Sequence, residues 1–123
     1  MSFEVAFVKA SFVGYIVPFR TKFLYHSGYS AVLKNTLDWI SRPVEGESGL
    51  QQFAGRKAVI MAASPGGLGG LRGLYQLREL LLNMSVNVLP QMHALGGAHE
   101  KFTDAGGLKD AGDIQTVAGL GAA

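Results

Sequence analysis

Apolar positions change their spacing twice along Ala58–Asn83, and the rest of the chain is arranged around that stretch. Ala58–Ala63 is an unbroken apolar run, the pattern of a strand buried on both faces. Ser64–Gly70 is a glycine-rich break. Beyond it Leu71, Leu74, Leu77, Leu81 and Met84 recur at threes and fours, which predicts one face of a helix. Strand, glycine loop and helix place the loop at the carboxyl end of a strand, where open α/β sheets bind ligands.

The flanking patterns extend this unit. Phe3–Val8 alternates loosely and Phe12–Val17 is a second apolar run, giving two strands or one strand bent at Ser11, closed by Pro18. Tyr25–Ser30 reads as a polar-aromatic loop ending in Ser30, the N-cap of a helix over Ala31–Ile40. Val32 or Leu33, with Leu37 and Ile40, form its inner face, and Arg42-Pro43 ends it. Val44–Gly55 is a loop that Phe53 pins to the core. Val86–Leu89 is a strand closed by Pro90, so about 30 residues make a βαβ unit with a parallel strand pair and a right-handed crossover. Gln91–Gly107 reads as a long polar loop carrying His93 and His99. A last helix over Leu108–Leu120 uses Ile114, Val117 and Leu120, with Gly119–Ala123 fraying. No internal repeat or domain boundary interrupts the chain, so residues 1–123 are expected to form one α/β domain.

Composition narrows the function classes. A chain of 123 residues, 48% hydrophobic and 16% charged, supports one packed core. The net charge of +2 comes from scattered Lys and Arg, with no basic run, so no nucleic-acid partner is expected. There is no Cys, which excludes disulfides, thiolate metal sites and cysteine nucleophiles and suits a reducing cytoplasm. No run reaches the roughly 18–20 apolar residues that span a bilayer. Glu4 and Lys9 spoil the first residues as an export signal. The expectation is a cytoplasmic protein without a membrane partner. His26, His93 and His99 are too scattered for a metal site.

Five glycines fall within the eight residues Gly66–Gly73. A P-loop would need Gly-Lys-Ser/Thr after the glycines, and Leu71-Arg72 stands there. A dinucleotide fingerprint would need a glycine where Arg72 sits, and an acidic residue after the next strand, where Leu89-Pro90-Gln91 stands. Two readings stay open: a tight strand-to-helix turn, or a loop whose bare amides face a flat ring such as a flavin, from which any Cβ would hold the ring away. Tyr25–Ser30 also precedes a helix. If it follows a strand of the same parallel sheet, its two tyrosines, two serines and His26 wall the same space. Arg72 reads first as a solvated helix-start residue and second as a contact for a 2′-phosphate.

Three stretches resemble the NAD(P)H-dependent FMN reductases of the flavodoxin-like fold, with their quinone-, chromate- and azo-reducing relatives. These are Leu24–Ser30 with Val32–Asn35 and Asp38-Trp39; Ala63–Gly70 with Leu77-Arg78; and Asn87–Pro90 with Lys101-Phe102 and Gly107-Leu108. The resemblance divides the chain into a divergent start at 1–22, a family-like part at 23–108 and a C-terminal helix or tail at 109–123. It implies a flavodoxin-like parallel sheet with flanking helices. It implies FMN held by Tyr25, His26, Ser27, Gly28, Tyr29 and Ser30 and by Ser64, Pro65, Gly66, Gly67, Leu68 and Gly69. NAD(P)H would be the co-substrate and a small molecule the electron acceptor. The flavin would carry the chemistry without a catalytic side chain. A homo-oligomer, dimer or tetramer, is implied, with the Asp38-Trp39 helix at its interface.

The family's Gly-Ser-x-Arg phosphate loop has no counterpart in Met1–Lys22, and Phe23 stands where the family carries a proline. The fold is therefore expected to be N-terminally incomplete or rearranged, and weaker in FMN affinity by a few charge-assisted hydrogen bonds. The alternative function is a non-catalytic flavodoxin-like remnant acting as a subunit or interaction module. A different α/β nucleotide binder is the third reading.

Overall fold

The computed structural model describes residues 5–10, 24–25 and 27–122. Its central sheet has three strands in the order β1-β4-β5: β1 (Val5–Ala10), β4 (Lys57–Ala63) and β5 (Asn87–Leu95). A separate hairpin is formed by β2 (Leu24–Tyr25) and β3 (Gly28–Tyr29). The helices are α1 (Ala31–Ile40), α2 (Leu71–Asn83), α3 (Ala98–Lys101) and α4 (Ala111–Ala122).

β4 is the middle strand and its pattern says why. Ala58, Val59, Ile60, Ala62 and Ala63 are all buried, as a strand covered on both faces requires. One face, through Ala58, Ile60 and Ala62, meets Leu74, Leu77 and Leu81 of α2, joined by Met84 and Val86. Leu33 and Leu37 of α1 and the loop residues Leu50 and Phe53 close this core, so Phe53 does pin its loop. At the other face Ala63 and Leu95 pack with Ala98 and Leu108.

β4 and β5 run parallel with α2 between them, the predicted βαβ unit. β1 pairs antiparallel with the other edge of β4, Val5 opposite Ala63 and Ala10 opposite Ala58. The expected strand over Phe12–Val17 and its closure at Pro18 lie outside the described residues.

Several expectations need correction. β5 does not stop at Pro90 but continues to Leu95. Among the described strands it lies at the sheet edge, and it bulges there. Ala58 faces Val88 and Ile60 faces Met92, so Leu89–Gln91 stand opposite Val59 alone. An edge bulge asks no ladder hydrogen bond of the proline. Its carbonyl is used instead, accepting from an Nη of Arg78 at 2.9 Å. Gln91–Gly107 is thus not one loop: His93 is in β5, and His99 is in α3. On α1, Leu33 rather than Val32 turns inward, and Ile40 is exposed. The last helix starts at Ala111, where the Asp110 carboxylate accepts from Asp113 N at 2.9 Å, and runs through Gly119 and Gly121 to Ala122. Buried Leu120 holds its final turn against the sheet.

Candidate functional site

The end of β4 opens into a cavity of about 230 Å³ walled by the glycine loop, the first turn of α2 and Ser27. Ser64, the first residue past the strand, is buried and anchored at both backbone groups. Its N–H donates to Leu95 O and its carbonyl accepts from Ala98 N, each at 3.0 Å. Its hydroxyl accepts from Gly66 N at 3.3 Å. Two tight turns then carry the chain into α2, through Gly69 N to Gly66 O at 3.0 Å and Leu71 N to Leu68 O at 2.9 Å. Gly70 is the helix N-cap, with φ +87°.

The glycines fall into two groups. Gly69 has φ +58°, and a Cβ there would stand 2.6 Å from backbone atoms of Ala94, Leu95 and Gly96. A Cβ on Gly96 would in turn lie 2.5 Å from Gly67 O. These two glycines let the loop lie flat on the end of β5 and are required by the fold itself. Gly66 and Gly67 are different. Neither has a positive φ, and a Cβ on Gly67 would meet nothing within 4 Å. The turn does not need glycine there. What glycine provides is a bare backbone at a cavity wall.

The second wall arrives by a route the sequence did not suggest. Tyr25–Ser30 is not a loop at the end of a strand of the main sheet. It is largely the β2–β3 hairpin, Leu24 pairing with Tyr29 and Tyr25 with Gly28. Tyr29 and α2 bring this hairpin to the core, and Ser27 at its turn, with φ +68°, reaches the cavity. So Ser27 and Ser64, Gly66, Gly67, Leu68 and Gly69 are brought together. Gly28, Tyr29, Ser30 and Pro65 are not on this wall. Tyr29 packs on the core, and Ser30 uses its hydroxyl as the α1 cap, accepting from Leu33 N at 3.2 Å. His26 and the Tyr25 side chain lie outside the described residues.

Gly70, Leu71, Arg72 and Gly73 also line the cavity. Sequence reasoning ended the candidate site at Gly69. The available signal was that the first turn of a helix entering from a glycine loop faces the same space as the loop. Among the described residues no acidic side chain lines the cavity, and Arg72 is the charged residue on its wall. Among the described residues, the amides of Gly67 and Leu68 have no backbone acceptor. The lining thus combines backbone amides without a backbone acceptor among the described residues, a positive charge and the apolar Leu68, which is 51% exposed.

A second polar cluster lies away from it. Asp113 of α4 accepts from Lys101 Nζ at 2.6 Å and stands 3.6 Å from His93 Nε2, which is buried without a hydrogen-bond partner. The Lys101 ammonium is held above its ordinary range, first by that hydrogen bond and then by the charges of Asp113 and Asp110, against some desolvation. This cluster fastens α3 and α4 to β5. Among the described residues no three His, Cys, Asp or Glu side chains are placed to hold a metal ion, and no helix is long and apolar enough to cross a membrane.

A family model described as NADPH-dependent FMN reductase matches residues 24–100, which spans the hairpin, α1, the βαβ unit and the cavity. An NAD(P)H-dependent FMN reductase of Pseudomonas aeruginosa is 36% identical over 83 residues, 68% of this chain and 42% of the relative. A quinone reductase of Escherichia coli K12 is 30% identical over 97 residues, 77% of this chain and 49% of the relative. An NADPH azoreductase of a Bacillus species is 28% identical over 82 residues, 67% of this chain and 42% of the relative. The chain thus spans less than half the length of each of these relatives over the matched region.

Proposed function

We propose a function from one premise: this chain belongs to the NADPH-dependent FMN reductase family, and its α/β arrangement is of the flavodoxin-like kind. The function is that of an FMN-dependent oxidoreductase that takes reducing equivalents from NAD(P)H and delivers them to a small acceptor. The acceptor class follows the named relatives: a free flavin, a quinone or an azo compound. A bound flavin supplies the redox chemistry, accepting hydride and passing electrons on. The chain's own residues bind and orient.

The observation that carries this reading is the pair Gly66 and Gly67. They are glycines that the loop's conformation and packing do not demand, at the wall of a cavity. A flat ring laid on that wall needs bare backbone, and a methyl group there would lift it. The amides of Gly67 and Leu68 have no backbone acceptor among the described residues and can donate to an electron-rich ring edge. Donating there, they would stabilise negative charge developing on the ring. Ser27 of the hairpin and the apolar Leu68 line the same cavity.

The test is direct. The purified chain is mixed with FMN and desalted, and its visible spectrum and NAD(P)H oxidation are recorded. Stoichiometric retained flavin with turnover supports the reductase reading. Retained flavin without turnover supports a binding module. Neither flavin retention nor NAD(P)H oxidation sinks the proposal. We also propose self-association through α1, whose Trp39 and Ile40 are exposed. A monomeric sedimentation profile at micromolar concentration would refute it.

A further inference from the structure

The geometry points to Arg72 as a specificity-determining residue of the cavity, selecting substrates that carry an oxyanion. The inference deepens the reading of the site as a flavin-ring cavity and rests on it.

Three observations carry it. Arg72 stands on the cavity wall, to which no described residue contributes a carboxylate. Its guanidinium has no hydrogen-bond or ion-pair partner among the described residues, whereas four other cations have a partner. Lys34 is held by Asp38, Lys101 by Asp113, Arg78 by Pro90 O, and Arg42 lies over the Trp39 ring. Its neighbours on the wall are small or apolar, Gly69, Gly70, Leu71 and Gly73, so nothing crowds the charge.

A guanidinium offers up to five N–H donors in a planar fork whose shape matches an oxyanion. Arg72 is exposed, so a ligand entering from solvent can reach its guanidinium, and the bond it makes is charge-assisted. A glycine-rich wall beside a guanidinium without a partner among the described residues suits a planar group with an acidic substituent nearby. That oxyanion has two possible carriers, the ribose phosphate of a nicotinamide dinucleotide or an acidic group on the electron acceptor.

Steady-state kinetics on the FMN-loaded wild type, Arg72→Gln and Arg72→Lys separates them. One arm compares NADPH with NADH, which differ by that phosphate. The other compares a neutral benzoquinone with its sulfonate. The expected result is that Arg72→Gln raises the KM of the anionic member of one pair about tenfold or more relative to its partner. Arg72→Lys should restore part of the discrimination, and added salt should weaken it in the wild type. The pair that responds names the carrier. Equal effects on both members of both pairs, or a glutamine variant indistinguishable from wild type, overturn the inference. FMN binding is titrated separately on each protein, so loss of flavin from the wild type marks failure of the underlying reading. In that event an inorganic pyrophosphate titration decides the anion site alone, read from the amide shifts of Gly67 and Leu68. No shift in the wild type, or the same shift in Arg72→Gln, would overturn it.

Discussion

Replacing two glycines of one loop by alanine should produce opposite effects, and the contrast tests the division between glycines kept for the fold and glycines kept for a ligand. At Gly69 alanine must adopt φ +58°. That left-handed conformation costs an L-residue about 1–2 kcal/mol. The new methyl would also lie 2.6 Å from backbone of Ala94, Leu95 and Gly96, none of which is a flexible side chain that can swing away. Overpacking of that kind costs about 1–3 kcal/mol. Restricting the unfolded chain returns about 0.4–1 kcal/mol, so the net loss is about 1–5 kcal/mol. At Gly67 the conformation is open to L-residues and the methyl meets nothing within 4 Å. Only the unfolded-state effect remains, a gain of about 0.4–1 kcal/mol. Urea unfolding measures both, with an unchanged slope and midpoints displaced in opposite directions. Gly67→Ala should nevertheless weaken FMN about tenfold or more, because the methyl occupies the plane the ring needs. A stabilised Gly67→Ala protein with undiminished FMN affinity would refute the argument for the cavity wall. A destabilised one would refute the reading that the fold does not need that glycine.

Three further outcomes follow from the packing. Ser30→Ala removes the α1 cap and should cost about 1 kcal/mol, seen as a lower thermal midpoint by circular dichroism; no change would mean the Ser30–Leu33 bond is not formed. Leu77→Ala empties a site that is 1% exposed beneath β4 and should cost about 3–5 kcal/mol by urea unfolding, whereas a cost under about 1 kcal/mol would place Leu77 outside the core. Lys101 titrates higher folded than unfolded, so its contribution is complete below the ordinary lysine range and is lost as pH rises through the raised folded value. Asp113→Asn should abolish that alkaline loss and lower stability at neutral pH, and a stability–pH profile parallel to wild type above pH about 10 would contradict it.

Much of the fold was legible because it rests on local periodicity. Ala31–Ile40, with its Ser30 cap, and the face Leu74, Leu77, Leu81 and Met84 follow from helical spacing and capping chemistry. The unbroken apolar run over Ala58–Ala63 announces a strand buried on both faces. The extension of β5 past Pro90 was not legible. Whether a proline breaks a strand depends on whether that strand is at an edge and whether it bulges, and neither is written in nearby residues. The pairing of β1 with β4, and its antiparallel sense, is likewise a choice between distant segments.

By itself the sequence determined that a glycine loop lies between a buried strand and an amphipathic helix, and that its motifs resemble a flavin-reductase family. It did not separate the glycines. Only the tertiary structure decided that Gly69 and Gly96 serve close backbone packing while Gly66 and Gly67 face open space. Conformation and clearance are properties of folded neighbours, not of residue type. The same is true of the opposite wall. Ser27 reaches the cavity because a hairpin packs on α2, not because a strand of the central sheet ends there. Arg72, an ordinary helix-start residue in the linear chain, becomes the charge on the cavity wall for the same reason.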